Sequence, residues 1–449
     1  MSLDFATRKH YYNRCNPNES LPPTDERNMD IDAYGDESVR GINWVERLAS
    51  RIELSNSPAF ELFTGLPGSG KSTELRRLMT RLGDKDKAHL LTVLVDAEEV
   101  LDLTSPVDVP DIIAAIMLRT EQTLLKAEGK DPAKALHEGY MSRLSTWLKT
   151  EVTLKDPEFS IPGGPTLVIE MKTRPSLRAR VRSTIAAHLS SFLNEARQEL
   201  ELYKDRARQC GFTGLVVIFD SLENLRGIST NWDEVLDSAE RIFAGGAPHL
   251  QLPVHVLYTI PPALVARRFE EVHFLPMIKL HTREGKPFPQ GIEAIRALIR
   301  KRILDEDLSV ILGPGIEQRV QQLIQWSGGY PRELIRLLRA VLGISKQPIS
   351  EDDFERIGNE LRDAYRKIVP ADAFPWLAQV SREHYVTIKD DKHRQVVDLM
   401  LSNSAVLRYL NQNDWFELHP AVAQIPGVQE AIRTLMQSGN PEEHGEPRG

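Results

Sequence analysis

Gly65-Leu66-Pro67-Gly68-Ser69-Gly70-Lys71-Ser72-Thr73 decides how this chain is read. The stretch fits G-x-x-x-x-G-K-[ST], a glycine-rich loop whose backbone N–H groups curl round a phosphate chain. Its flanks are of the right kind. Residues 60–64 read as a short strand running into the loop. Residues 74–82 read as an amphipathic helix leaving it, with Leu75, Leu78 and Met79 on one face. The helix N-terminus then faces the negative charge. Gly65, Pro67, Gly68, Ser69, Gly70, Lys71, Ser72 and Thr73 are therefore the expected phosphate-binding residues. Lys71 is placed to reach the β- and γ-phosphates of a nucleoside triphosphate and Ser72 to ligate Mg2+.

Outward from the loop, the composition sets limits. A chain of 449 residues has room for about three domains. Its 41% apolar and 27% charged residues are ordinary for a globular protein. A net charge of −8 supplies no global basic field for nucleic acid. Two cysteines, Cys15 and Cys210, make neither a disulfide framework nor a metal cluster, and a reducing, cytoplasmic setting is expected. The first residues lack a signal-peptide pattern, and no apolar run approaches the roughly 18 residues of a membrane span.

Along the chain, residues 1–40 read as an irregular arm over the first domain or as a disordered one, with Tyr11 and Tyr12 as possible anchors. A helix is expected near 42–52. Residues 89–96 form a near-continuous apolar run, the mark of a strand buried on both faces. A helix over 110–125 makes the pattern β-α-β-α, which implies a parallel sheet. The next strong strand is 214–220. From Lys71 to Asp220 is 149 positions, far more than the roughly 30 residues of one βαβ unit, so an insertion is expected at about 126–212. Within it, 151–172 reads as a hairpin round the turn Pro162-Gly163-Gly164-Pro165, and 176–208 as one helix. The basic cluster Lys172, Arg174, Arg178, Arg180 and Arg182 is either a solvated helix end or a contact for an anion or partner, nucleic acid included. Further strands are expected at 253–259 and 272–280, closing a core of about five. Helices at 292–304, 314–326 and 331–342 form a lid. The expected division is an arm (1–40), an ATPase core (41–285), a helical lid (286–349), a winged-helix-like domain (350–437) and a disordered tail (438–449).

Beyond the loop, a small set of residues can carry chemistry. Asp220 ends a strand of β-favouring residues, where Mg2+ needs a carboxylate. Glu223 is placed to orient and deprotonate an attacking water; the bland alternative is a surface cap. Thr259 ends the following strand and can hydrogen-bond that water or the γ-phosphate. Arg267 or Arg268 suits the spread charge of a phosphoryl-transfer transition state, as a finger supplied by a neighbouring subunit. Gly328-Gly329-Tyr330-Pro331-Arg332 opens a lid helix with proline at N1, which sets Arg332 on the first turn, aimed towards the core.

Taken together, these motifs resemble the AAA+/STAND division of P-loop ATPases. They are the loop at 65–72, the strand and acid at 215–220, Thr259, Arg267/Arg268, Gly-Gly-x-Pro-Arg at 328–332 and the hairpin-like 407–420. The resemblance covers about residues 40–437. It implies an α/β P-loop sheet sandwiched by helices, with a helical lid and a C-terminal winged helix. It further implies ATP and Mg2+ as cofactors and a homo-oligomer. Ser221 stands where many AAA+ proteins carry Glu. The order Asp220-Ser221-Leu222-Glu223-Asn224 is closer to the STAND pattern, whereas Arg332 is more like the AAA+ sensor arginine. The insertion and arm are similar to those of bacterial antiviral-conflict ATPases that act beside an effector protein. The implied function is an oligomeric ATP-hydrolysing switch controlling a partner; the alternative is a nucleic-acid-loading ATPase of the origin-recognition type. Residues 351–449 carry 17 acidic and 11 basic side chains, a poor surface for phosphate backbones.

Overall fold

The computed structural model describes residues 2–34, 38–136, 139–153, 160–225, 227, 230–244, 247–267, 271–388 and 391–438. The chain divides into two units. The sheet unit comprises residues 44–65 and 72–274; the helical unit comprises 1–43, 66–71 and 275–449.

In the sheet unit, β1 (Phe60–Gly65), β2 (Leu91–Asp96), β3 (Leu215–Asp220), β4 (His255–Thr259) and β5 (Val272–Leu275) stand in the order β2-β3-β4-β1-β5. The pairs β2–β3, β3–β4 and β4–β1 are parallel. This is the expected α/β P-loop sheet, with the phosphate loop leaving β1. β3 lies inside the sheet and every residue of it is buried. β2 is an edge strand whose burial alternates, so the expectation of burial on both faces fails there: an apolar run cannot tell an inner strand from an edge one. After the loop, the helix Lys71–Gly83 buries Leu75, Leu78 and Leu82, while Met79 is only half-buried. The buried stripe thus runs i, i+3, i+7.

Between β2 and β3 the described chain is helical: Val109–Ala127, Tyr140–Thr153, Thr166–Thr173, Pro175–Ala186 and Leu189–Gln209. Two expectations fail here. The turn at 162–165 joins helices, not the arms of a hairpin. Thr166, Val168 and Ile169 suggest a strand by propensity, but Leu167, Val168 and Met171 are buried at helical spacing, and packing overrides propensity. The single helix over 176–208 breaks at His188. Its first half packs against Tyr140–Thr153, Thr166–Thr173 and Val109–Ala127, its second against Val109–Ala127.

In the helical unit, Pro289–Arg300, Asp305–Leu312, Ile316–Ser327 and Pro331–Gly343 form the lid. The expected helix over 292–304 ends at Arg300, and a second helix follows it, for which Asp305-Glu306-Asp307 supplies an acidic first turn suited to a helix start. The expected strand over 272–280 ends at Leu275. Beyond it, the backbone N–H groups of Met277, Ile278 and Lys279 donate in turn to the carbonyls of Arg408, Gly329 and Val39, which links three parts of the unit by one strap.

The N-terminal arm is neither disordered over its described residues nor part of the sheet unit. Asp4 caps the helix Phe5–Arg14, which packs on Pro331–Gly343, and Tyr11, Cys15, Ile31 and Val39 enter the lid's core. Both expected anchors hold. Tyr11 donates to Asp307 at 2.5 Å, and the Arg339 guanidinium lies 4.3 Å over the Tyr12 ring. At the C-terminal end, β6 (Val406–Leu410) and β7 (Asp414–Leu418) form an antiparallel hairpin, with Phe374–Glu383, Asp391–Ser402 and Pro426–Ser438 as its helices. The expected tail, 438–449, lies outside the described residues except for Ser438. Among the described residues no helix is long and apolar enough to cross a membrane.

Candidate phosphate-binding loop and acidic turn

Gly68 and Gly70 take φ of +84° and +102°, backbone that side-chain-bearing residues rarely adopt. A Cβ on Gly68 would come within 2.6 Å of Arg332 Cβ and 2.7 Å of its Nε, so the Arg332 side chain lies directly on the loop. Arg332 Nε donates to the Pro17 carbonyl at 3.2 Å. Among the described residues no carboxylate pairs with Arg332, and a neutral carbonyl leaves its charge for an anion.

Three loop carbonyls are held by donors of the helical unit. Lys71 Nζ, almost fully buried, donates to Leu66 at 3.2 Å. Tyr330 Oη donates to Pro67 at 2.6 Å. Arg40, wholly buried, donates from Nη2 to Ser69 at 2.7 Å. A buried arginine is expensive unless it is engaged, and Arg40 uses that engagement to hold the loop. Arg40 has no signal in the sequence, since a single arginine in a polar stretch carries no motif. Tyr330 lay inside the Gly-Gly-x-Pro-Arg signature without a role.

In the sheet unit, the other expected residues gather at the C-terminal ends of β3 and β4. Asp220 Oδ1 accepts from the Ser221 N–H at 2.8 Å. Ser221 has φ +67°, a left-handed conformation that costs a non-glycine residue about 1 kcal/mol or more. That bend starts the short turn Leu222–Asn224, on which Glu223 is buried. The Thr259 hydroxyl accepts from the Leu222 N–H at 2.9 Å and donates to the Phe219 carbonyl at 3.3 Å. Thr259 therefore fixes the turn that carries Glu223. Asn224 Nδ2 donates to Glu98 Oε1 at 2.8 Å on the turn's far side. Ser72 follows Lys71 on the loop helix. Arg267 ends the turn Pro262–Arg267, but its side chain and all of Arg268 lie outside the described residues.

The basic cluster of the insertion is not an open anion site. Arg182 donates from Nε and Nη2 to the two oxygens of Asp111, at 3.1 and 2.5 Å. Arg178 pairs with Asp102 at 3.1 Å and Arg174 with Glu170 at 2.5 Å, while Lys172 donates to the Glu98 carbonyl. At Arg178 and Arg182 internal pairing replaces both alternatives held open on the sequence, whereas Arg174, 47% exposed, fits the solvated helix end. Asp111 is so deeply buried that desolvation still raises its pKa, against the pull of Arg182.

No family model matches the chain, and no curated protein does. Among solved structures it is similar to the Walker-type ATPase PABY2304 of Pyrococcus abyssi: 14% identity, TM-score 0.38, 93% of this chain and 100% of that one covered. It is similar to the ORC2 protein of Aeropyrum pernix in its ADPNP–ADP complexes (12%, TM-score 0.35, 92% and 98%). It is also similar to the ORC1 protein of the same organism in complex with DNA (12%, TM-score 0.33, 94% and 96%). A likeness this remote concerns the fold alone.

Proposed function

We propose that this chain binds and hydrolyses ATP and works as a nucleotide-dependent switch. The observation that carries the reading is the loop itself. Gly68 and Gly70 stand at positive φ, the loop opens the helix Lys71–Gly83, and Arg332 lies on Gly68 with no carboxylate partner among the described residues. A Cβ at Gly68 would fill the place where backbone and guanidinium meet, so the cradle suits a polyphosphate.

Gly65, Pro67, Gly68, Ser69, Gly70, Lys71, Ser72 and Thr73 would hold the phosphates, and Ser72 and Asp220 a Mg2+. Among the described residues no group of three or more His, Cys, Asp or Glu side chains could hold a metal. Mg2+ is usually bound by one or two protein groups plus substrate phosphates. When bound, the ion would neutralise charge on the phosphates. Glu223 takes the proton of the attacking water, and Thr259 holds the turn that positions it. Arg332 donates to the terminal phosphate and so reports its presence to the lid helix. Arg267 or Arg268 would serve a neighbouring subunit as an arginine finger.

The 351–438 portion, with its hairpin, is proposed as a winged-helix-like unit controlling a protein partner; a role in antiviral defence has no support in the comparisons. The nucleic-acid-loading alternative shares the ATPase core. It would rest on the C-terminal unit, because the insertion's basic side chains with defined partners are already engaged.

Full-length protein with ATP and Mg2+ tests the core reading. Phosphate release should be measurable and should fall by roughly 100- to 10,000-fold in Glu223→Gln, the span of general-base catalysis. ATP affinity should stay within a few-fold. Equal turnover in the variant would remove Glu223 from the reaction.

A further inference from the structure

Glycine makes the phosphate loop possible but does not aim it. Gly68 and Gly70 are free to adopt positive φ and equally free to leave it, so ordering them is costly. An anion site binds well when its N–H groups already point at the ligand. The peptide unit shows what can point them. In a trans peptide the carbonyl and the following N–H share a plane and face opposite ways. A donor that fixes one residue's carbonyl therefore aims the next residue's N–H.

Two of the carbonyls held in the loop belong to the residues just before these glycines, and both peptides are trans. Tyr330 Oη donates to Pro67, ahead of Gly68, and Arg40 Nη2 donates to Ser69, ahead of Gly70. The Ser69 N–H, between them, is spent on the Leu66 carbonyl at 3.1 Å. Among the described residues no acceptor takes the N–H of Gly68 or of Gly70. The two N–H groups left for a ligand are thus the two whose peptides are oriented from behind.

Tyr330 is itself held in place. It is buried, and it caps the helix Pro331–Gly343. Its own N–H donates to the Ser327 carbonyl at 3.0 Å. Gly328, two residues earlier, offers its carbonyl to Tyr409 Oη at 2.6 Å. Tyr409 stands on β6 and stacks on Trp415 of β7, with ring centres 4.4 Å apart. The Gly329 carbonyl accepts from the Ile278 N–H at 3.2 Å, and a Cβ on Gly329 would come within 1.8 Å of the Ile278 carbonyl oxygen. The segment before Tyr330 therefore cannot retreat alone.

We propose that Tyr330 is a positioning residue of the phosphate loop. Its hydroxyl aims the Gly68 N–H at the β-phosphate common to ATP and ADP, and the β6–β7 hairpin braces Tyr330 from behind. The inference rests on the nucleotide-binding reading. Its consequence is that the hairpin sets nucleotide affinity through the loop backbone. Tyr330 differs in this from Arg332, whose guanidinium acts on the terminal phosphate alone.

The test uses full-length protein labelled with carbonyl-13C proline and 15N glycine. A carbonyl-to-amide NMR correlation then selects the four Pro-Gly pairs, ending at Gly68, Gly163, Gly315 and Gly427. Pro67→Ala identifies the Gly68 line by its loss. Tyr330→Phe keeps the buried ring and removes only the hydroxyl. In nucleotide-free protein it should shift the Pro67–Gly68 line and leave the other three in place, which also shows that the fold is kept. Tyr409→Phe should shift the same line in the same direction by less. By calorimetry, Tyr330→Phe should weaken ATP and ADP by the same factor, about fivefold, the worth of one neutral hydrogen bond. A Gly68 line that Tyr330→Phe does not move, or a loss confined to ATP, overturns the positioning role. A line unmoved by Tyr409→Phe overturns the hairpin's part in it. Wild-type protein that binds neither nucleotide removes the nucleotide reading instead, and the nucleotide-free line still decides whether Tyr330 sets the loop.

Discussion

The phosphate loop and the insertion both concentrate basic side chains, and the structure uses the two sets in opposite ways. Arg178 and Arg182 of the insertion donate to carboxylates, Asp102 and Asp111. Arg332 at the loop donates to a carbonyl, and no carboxylate among the described residues balances it. A carboxylate partner consumes a cation's charge in holding the fold; a carbonyl partner orients the cation and leaves the charge for a ligand. The two regions therefore separate stability from binding.

The largest effect should come from breaking the insertion's best pair. Arg182→Ala leaves Asp111 buried without its cation, and with Arg182 partly exposed the cost should be about 2–3 kcal/mol, below the range for fully buried pairs. The loss should grow as pH rises. A carboxyl whose folded pKa lies above its unfolded value binds its proton more tightly when folded, so stability falls as that proton leaves. Denaturant midpoints between pH 4 and 7 check this, and ATP affinity should not change. A stable Arg182→Ala protein with weakened ATP binding would erase the contrast.

At the loop, the expected order reverses. Lys71→Ala should weaken ATP binding on the order of 100-fold, about 2.7 kcal/mol, with little change in denaturant midpoint. Calorimetry showing unchanged affinity would sink the phosphate-loop assignment. Arg332→Ala should cost about tenfold for ATP and less for ADP, since only the triphosphate offers a terminal phosphate to the guanidinium. Equal losses for the two nucleotides would leave Arg332 as a structural contact.

A pH-dependent effect sharpens the comparison from a third place. His419 is wholly buried against Tyr365, and burial pushes its pKa down to about 3. A base whose folded pKa is depressed takes up its proton more readily when unfolded. Its contribution is present above about pH 6.5 and is lost as pH falls, by up to about 1.4 kcal/mol per unit. His419→Gln should flatten the acid limb of the stability curve between pH 6.5 and 4. An unchanged slope would show that other groups set it.

Much of this molecule follows from the sequence alone, because the rules involved are local. The phosphate loop is legible because Gly68 and Gly70 permit backbone that other residues resist. The inner strand Leu215–Asp220 is legible because a run of β-favouring residues is cheap to extend and to bury. Pro331 at N1 likewise places Arg332 on the first turn of its helix. Tertiary structure alone decided what depends on approach between distant residues. It made Thr166–Thr173 a helix by burying three of its side chains, and broke the next helix at His188. It set Arg182 against Asp111, 71 residues away, and brought Arg40 beneath Ser69. Charge, propensity and period are written residue by residue. Whether a charge is neutralised, or a strand lies at an edge, is a property of the space around it, which exists only once the chain has closed on itself.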